Sequence, residues 1–271
     1  MHEGSTGGDG TSPILEIQGQ RAVIRLNRPR VLNRLQPEDV DALAEMLDAV
    51  ERSDEVRVLI LTGTGRVFSA GYDLGDLARR RAAGADAAPS ADKAGASGFV
   101  ALLERLEAAR VPTICRLNGS VYGGATDVAL CCDFRIGVTG SEMFMPASKL
   151  GLHYYTEGLE RWTHRLGLGA AKRLFLTSDT IDCQEMLRIG YLDQLVAPEQ
   201  LDAAVDQLAD TLASRAPRTV EGMKQALNQI ARGELDRAAC DARHRASLSS
   251  EDIREGVAAW QQKRRPVFSG R

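Results

Sequence analysis

The sequence contains no long apolar run. Continuous hydrophobic stretches such as Val58 to Leu61 are far too short to span a bilayer, which excludes a helical membrane segment. The first dozen residues carry Gly4, Gly7, Gly8 and Gly10 and no apolar stretch, so residues 1–12 read as a flexible tail rather than a signal peptide. Positive charge is not in excess. The net charge is −3 over 271 residues, and runs such as Arg79-Arg80-Arg81 are balanced by acids elsewhere, which leaves no broad basic surface for nucleic acid. The five cysteines (Cys115, Cys131, Cys132, Cys183 and Cys240) form no Cys-x-x-Cys pair, and an odd, unpatterned set points to reduced thiols in the cytoplasm. Four histidines lie scattered, without the spacing of a metal site, so no metal is expected. Neither Gly-x-x-x-x-Gly-Lys-[Ser/Thr] nor Gly-x-Gly-x-x-Gly follows the early strands, which excludes a P-loop or dinucleotide fold.

What is present is an alternation of strand and helix patterns. Ile14–Ile17 and Ala22–Leu26 read as strands joined at Gly19-Gln20. Pro37 opens a helix with Glu38 and Asp39 in its first turn, and Val40, Leu43, Leu47 and Val50 line one face. Val56–Leu61 reads as a strand buried on both faces. Residues 79–98 are dominated by Ala, Gly, Asp, Ser and Pro and read as a mobile surface loop, either a lid or an inert insertion. The pattern continues with a helix from Phe99 to Ala109 and strands at Val111–Leu117 and Phe134–Val138. Short helices are expected at Gly169–Leu176 and Cys183–Ile189, the second ended by Gly190. From Leu201 the chain reads as helical throughout. The expectation is an α/β core over 13–200 and a separate helical region over 201–271.

Two strand–glycine–helix junctions stand out. In residues 118–133, the Gly123-Gly124 pair follows a strand and precedes a helix carrying Asp127 in its first turn. Glycine lets another group approach the backbone, and first-turn amides are free donors beside a positive dipole end. Such a place can hold an anion or an oxygen that becomes one during reaction. The same residues also suit an ordinary helix start, with Asp127 offsetting the dipole. Phe68-Ser69-Ala70-Gly71-Tyr72-Asp73-Leu74 is the second junction. Two junctions can each aim one N–H at a single carbonyl oxygen and form an oxyanion hole.

Residues Phe68–Leu74 and Asn118–Asp127 together resemble the crotonase, or enoyl-CoA hydratase/isomerase, superfamily. Asn27–Asn33 is similar to its early CoA-contacting segment, and Glu255–Phe268 to its closing helix and tail, so the resemblance runs from about Ile14 to Phe268. It implies a spiral of ββα units with a C-terminal helical trimerisation region, assembled as a homotrimer or homohexamer. It implies an acyl-CoA thioester substrate and no separate cofactor, since coenzyme A is part of the substrate. The amides of Tyr72 and Gly124 would hold the thioester oxygen. The backbone around Ala70, Gly71, Asp73, Leu74 and Gly123 would meet the CoA moiety, with Arg30 and Lys263 near its phosphates or simply solvated.

The resemblance also has gaps. Typical hydratases of that superfamily hold water between two glutamates. Asp127 stands at the first position, one methylene shorter, and Ala147 at the second. Alanine can neither give nor take a proton. The following segment, Leu152-His153-Tyr154-Tyr155-Thr156-Glu157-Gly158, is rich in polar groups. His153, Tyr155 and Glu157 are therefore candidates beside Asp127, or else tyrosines filling volume and polar groups bracing a loop. The expected reaction is hydration or isomerisation of a 2-enoyl-CoA with Asp127 as acid/base. The alternatives are isomerisation, decarboxylation or hydrolysis through the His153–Glu157 cluster, or acyl-CoA binding without catalysis.

Overall fold

A computed structural model of the protein describes residues 11–72 and 96–271. The tail expected at 1–12 falls almost wholly outside the described residues, as do residues 79–95 of the expected loop. The final residues of that loop segment differ from expectation, because the helix placed at Phe99 already begins at Ala96. The Ala, Ser and Gly of this first turn carry no apolar signal, which hid the helix start.

The chain opens with an antiparallel pair, β1 (Ile14–Gln18) and β2 (Arg21–Leu26), followed by α1 (Pro37–Arg52). Three strand pairs come next. They are β3 (Val58–Gly63) with β4 (Val67–Ser69), β5 (Thr113–Leu117) with β6 (Ser120–Tyr122), and β7 (Phe134–Val138) with β8 (Glu142–Phe144). Helix α2 (Ala96–Glu107) precedes the second pair and α3 (Gly124–Cys131) the third. The chain continues through α4 (Thr156–Thr177), β9 (Ile181–Asp182), α5 (Cys183–Arg188) and β10 (Gln194–Val196). It ends with α6 (Leu201–Ala213), α7 (Pro217–Arg232), α8 (Arg237–Leu248) and α9 (Glu251–Gln261). The first strand of each pair joins a six-stranded sheet, β1-β2-β3-β5-β7-β10, and the second a four-stranded sheet, β4-β6-β8-β9. Apart from β1–β2 and β8–β9, the pairings are parallel. Each ββα turn thus lays one strand in each sheet, and the chain advances as a spiral.

Strand periodicity divides the core. In β3, Leu59 and Leu61 face the main cluster with Leu43, Leu47, Leu103 and Trp162, whereas Val58 and Ile60 face a second cluster. Helix α6 covers that second face with Leu201, Val205 and Ala209, so the first of the C-terminal helices packs on the sheet itself.

Helix α7 is turned the other way. Lys224, Asn228 and Arg232, spaced four apart on one face, point inward. Lys224 meets the Val111 carbonyl at 2.9 Å and Asp133 at 2.7 Å, Asn228 meets the Glu107 carbonyl at 3.0 Å, and Arg232 pairs with the Glu107 carboxylate. Met223, Leu227 and Ile230 are left more than half exposed.

Asn33 fixes the turn that leads to the site. Its side-chain amide donates to the carbonyls of Thr64 (2.8 Å), Val67 (2.9 Å) and Phe68 (3.1 Å), and its oxygen accepts from the Arg28 amide at 3.0 Å. A buried amide with all these bonds made is a rigid peg. Further bonds run from Ala70 N to Leu32 O (2.7 Å) and from Leu35 N to Gly71 O (2.8 Å), clamping the Gly71 turn against the 32–35 segment.

Candidate active site

The two glycine turns meet. Gly71 has φ +88°, a value that favours glycine, and a Cβ there would lie 2.6 Å from Tyr122 O and 3.2 Å from Gly124 N. Gly123, at φ +55°, forms the N-cap of α3, and its own amide donates to Phe144 O at 2.8 Å. Gly124 opens the helix, where first-turn amides have no intrahelical acceptor. The rings of Tyr72 and Phe99 pack 5.6 Å apart beside it, and a Cβ on Gly124 would meet both side chains. The amides of Ala70 and Gly71 are committed to Leu32 O and Ser69 Oγ.

One turn into α3, Asp127 is fully buried. Arg161, from α4, donates one Nη to both carboxylate oxygens at 3.0 Å. The Tyr154 hydroxyl donates to Oδ2 at 3.3 Å, and the Tyr155 hydroxyl donates to the same oxygen. Acceptance from three donors at once is the behaviour of an ionised carboxylate. Burial pushes the Asp127 carboxyl above its usual range, with the Arg161 charge and the Tyr155 bond pulling back. Burial, then the Asp127 charge, pushes the Tyr155 phenol up, so it remains protonated and donates. Behind Arg161 stands Glu107 of α2. It receives Arg161 Nε at 3.2 Å and pairs with Arg165 at 3.6 Å and with Arg232.

The sequence model of the enoyl-CoA hydratase/isomerase family matches residues 16–271. The chain belongs to this family. It is 34% identical over 250 residues to a 1,2-epoxyphenylacetyl-CoA isomerase of Escherichia coli, covering 92% of this chain and 94% of the relative. It is 31% identical over 255 residues to a short-chain-enoyl-CoA hydratase of Clostridium acetobutylicum, covering 93% and 95%. Its structure superimposes on an enoyl-CoA hydratase from Bacillus anthracis with a TM-score of 0.84 at 26% identity, covering 96% of this chain and all of the other. The spiral of ββα units is accordingly the crotonase fold.

Within this member of the enoyl-CoA hydratase/isomerase family, the residues singled out from sequence separate into groups. Gly71, Gly123 and Gly124 come together with Tyr72, and Asp127 comes together with Tyr155. His153 and Glu157 are exposed and are not among the Asp127 partners. His153 Nδ1 lies 2.8 Å from Tyr154 O, and Glu157 sits in the first turn of α4. Ala147 is buried in the main apolar cluster. Arg30 and Lys263 are exposed, and Asp73 and Leu74 lie outside the described residues. Arg161, Glu107 and Tyr154 were absent from the sequence-derived site. The signal for Arg161 was its place beside Trp162 on the inward stripe of α4, between the outward Glu160 and His164. Among the described residues no group of three His, Cys, Asp or Glu is placed to hold a metal ion.

Proposed function

We propose that this chain binds an enoyl-CoA thioester across the Gly71 and Gly123-Gly124 turns and shifts its double bond by proton transfer through Tyr155 and Asp127. The observation that carries the reading is the Tyr155 phenol donating to a fully buried Asp127, and it is supported by Ala147, which the resemblance puts at the position of the second carboxylate. The amides of Tyr72 and Gly124 are assigned to the thioester oxygen, on which negative charge grows as a neighbouring C–H is broken. Asp127 is enclosed by Arg161, Tyr154 and Tyr155, so it acts through the phenol. The Tyr155 proton passes to Asp127 while the phenol oxygen takes the proton of the acyl chain. The C–H electron pair moves into the thioester as an enolate. Reversal at a different carbon breaks the Asp127 O–H bond, restores the phenol and leaves the double bond displaced. No water is consumed.

On the CoA side, the backbone of Ala70, Gly71 and Gly123 is assigned to the CoA moiety, that around Ala70 to its adenine, with Arg30 and Lys263 near its phosphates. Asp73 and Leu74 are assigned there from the sequence alone. Coenzyme A enters as part of the substrate and calls for no separate cofactor. The outward apolar residues Met223, Leu227, Ile230 and Trp260 support assembly of the 201–271 region into a homotrimer or homohexamer. Five free cysteines support a cytoplasmic setting. No helix among the described residues is long and apolar enough to cross a membrane.

Hydration, with Asp127 as the acid/base, is the second reading. It is supported by 31% identity to a relative named as a hydratase. Turnover of 2- and 3-enoyl-CoA esters in deuterated, oxygen-18-labelled water separates the two. Isomerisation gives a product of the same composition with its double bond displaced and no oxygen-18 taken up. A labelled hydroxyl as the main product would overturn the isomerase reading in favour of hydration.

A further inference from the structure

We infer that Arg161 is a positioning residue for this chemistry, its guanidinium fixing Asp127 as the anion that receives the Tyr155 proton. The inference rests on the Tyr155–Asp127 reading above. Three observations carry it.

First, the geometry is that of a clamp. One nitrogen of Arg161 reaches both Asp127 oxygens at 3.0 Å, and its Nε reaches Glu107 at 3.2 Å. Arg161 is itself buried, at 5% exposure, so neither bond is shared with solvent. Second, the far carboxylate is held from other elements. Arg165 and Arg232 pair with Glu107, and Asn228 donates to its carbonyl at 3.0 Å. A guanidinium anchored in this way cannot swing from Asp127. Third, the charges around Asp127 leave Arg161 a specific electrostatic task. Facing Asp127 are the phenols of Tyr154 and Tyr155 from the segment before α4, Cys131 from its own helix and Tyr191 from a neighbouring element, while Glu107 lies behind Arg161. Among the described residues Arg161 is the cation in direct contact with Asp127; Arg165 is spent on Glu107 and the Cys132 carbonyl.

A buried carboxylate without a cation takes up a proton, because burial penalises the charged form. Protonated Asp127 could not take up the Tyr155 proton, and the relay would stop. The sign follows directly. The relay needs ionised Asp127, so activity falls on the acid side. Removing the positive charge raises the Asp127 pKa and moves that acid limb toward alkaline pH. An opposite charge at this range shifts a carboxyl by about one unit or more, which corresponds to roughly tenfold lower turnover below the limb.

The test is the pH profile of kcat for 3-enoyl-CoA isomerisation in the full-length wild type, Arg161→Met, Arg161→Gln and Arg161→Lys, with Tyr155→Phe as control. The expected result is an acid limb displaced upward by about one unit or more in Arg161→Met, with activity recovering in alkali, and a limb restored toward wild type in Arg161→Lys. A limb in Arg161→Met that keeps its wild-type position, with the profile lowered evenly at every pH, would make Arg161 merely structural and overturn the inference. Should Arg161→Met fail to fold, Arg161→Gln decides, since it removes the charge and keeps a hydrogen-bonding side chain: an acid limb displaced upward supports the inference, and a limb at the wild-type position overturns it. Wild-type turnover in Tyr155→Phe would instead bring down the underlying relay, whatever Arg161 does.

Discussion

Gly158 leaves the space that Tyr154 occupies: a Cβ on Gly158 would lie 2.4 Å from Tyr154 Cε1 and 2.8 Å from the Tyr155 ring. The two rings pack at 4.4 Å between centroids, with Tyr154 against Phe175 at 4.9 Å on the far side. The pair therefore cannot retreat without disturbing the core. Gly158→Ala is expected to push the phenols off Asp127 and to lower kcat by on the order of a hundredfold, the usual scale for losing a placed proton-transfer group. Since Gly158 touches no substrate in this reading, KM should hold within a few-fold. Steady-state kinetics on an enoyl-CoA panel checks both.

Tyr155 itself gives the sharper separation. Tyr155→Phe keeps the ring that packs on Tyr154 and removes only the hydroxyl. Arg161 and the Tyr154 hydroxyl still serve Asp127, so the fold should persist. The expected outcome is a loss of roughly a hundredfold or more in kcat with acyl-CoA affinity retained. Calorimetric titration with a non-reacting acyl-CoA measures the second part. Unaltered kcat would transfer the chemistry to another group.

The Gly71 turn predicts a loss of binding. Gly71→Ala would place a methyl group 2.6 Å from Tyr122 O, at a φ of +88° that L-residues rarely adopt. The backbone strain alone costs about 1–3 kcal/mol. Relief requires the turn to part from Gly124, which separates the two amides assigned to the thioester oxygen. A lowered midpoint in denaturant unfolding together with loss of acyl-CoA affinity is the expected pair of results. Stability lost with affinity intact would remove this junction from the oxygen site.

Much of this arrangement was legible in the sequence, and the failures have physical causes. Gly71, Gly123-Gly124 and Asp127 stand out in the sequence because one chain holds two strand–glycine–helix junctions, and the structure brings the Gly71 and Gly124 backbones close together. The strands β6, β8, β9 and β10 were missed because each has two or three residues, too short to show an alternation. Helix α4 was read only from Gly169, since Gly167 and Gly169 look like breakers. Gly167 does leave helical geometry, at φ 80° and ψ 157°, yet turns resume on both sides. The truncation hid Arg161 from the helix pattern that would have placed it inward. Arg161 owes its role to a carboxylate 34 residues earlier, and no local pattern reports such a pairing.

The outward face of α7 predicts an assembly contact. Leu227 is 65% exposed while Lys224 and Asn228 beside it are tied to the core. Leu227→Asp should therefore leave the protomer folded, shifting stability by about 0.5 kcal/mol or less, as surface substitutions do. It should break the proposed trimer or hexamer in sedimentation velocity. An unchanged sedimentation coefficient would move the assembly contact away from α7.

The closing tail provides a pH test independent of the site. Glu255 of α9 receives Arg264 through both oxygens, at 2.5 and 2.7 Å, and accepts the Val267 amide at 2.8 Å. These bonds bring its carboxyl from 4.5 down to about 2, the Arg264 bond contributing most. A folded-state value below the unfolded one means that the stabilisation is complete above pH 4.5 and is lost as pH falls toward 2. The Val267 amide should thus be protected from hydrogen exchange at neutral pH and released in acid. Glu255→Gln removes the charge that Arg264 recognises, so its Val267 amide should exchange faster at neutral pH, with far less dependence on acid. Equal protection in both proteins at neutral pH would show that other contacts hold the tail.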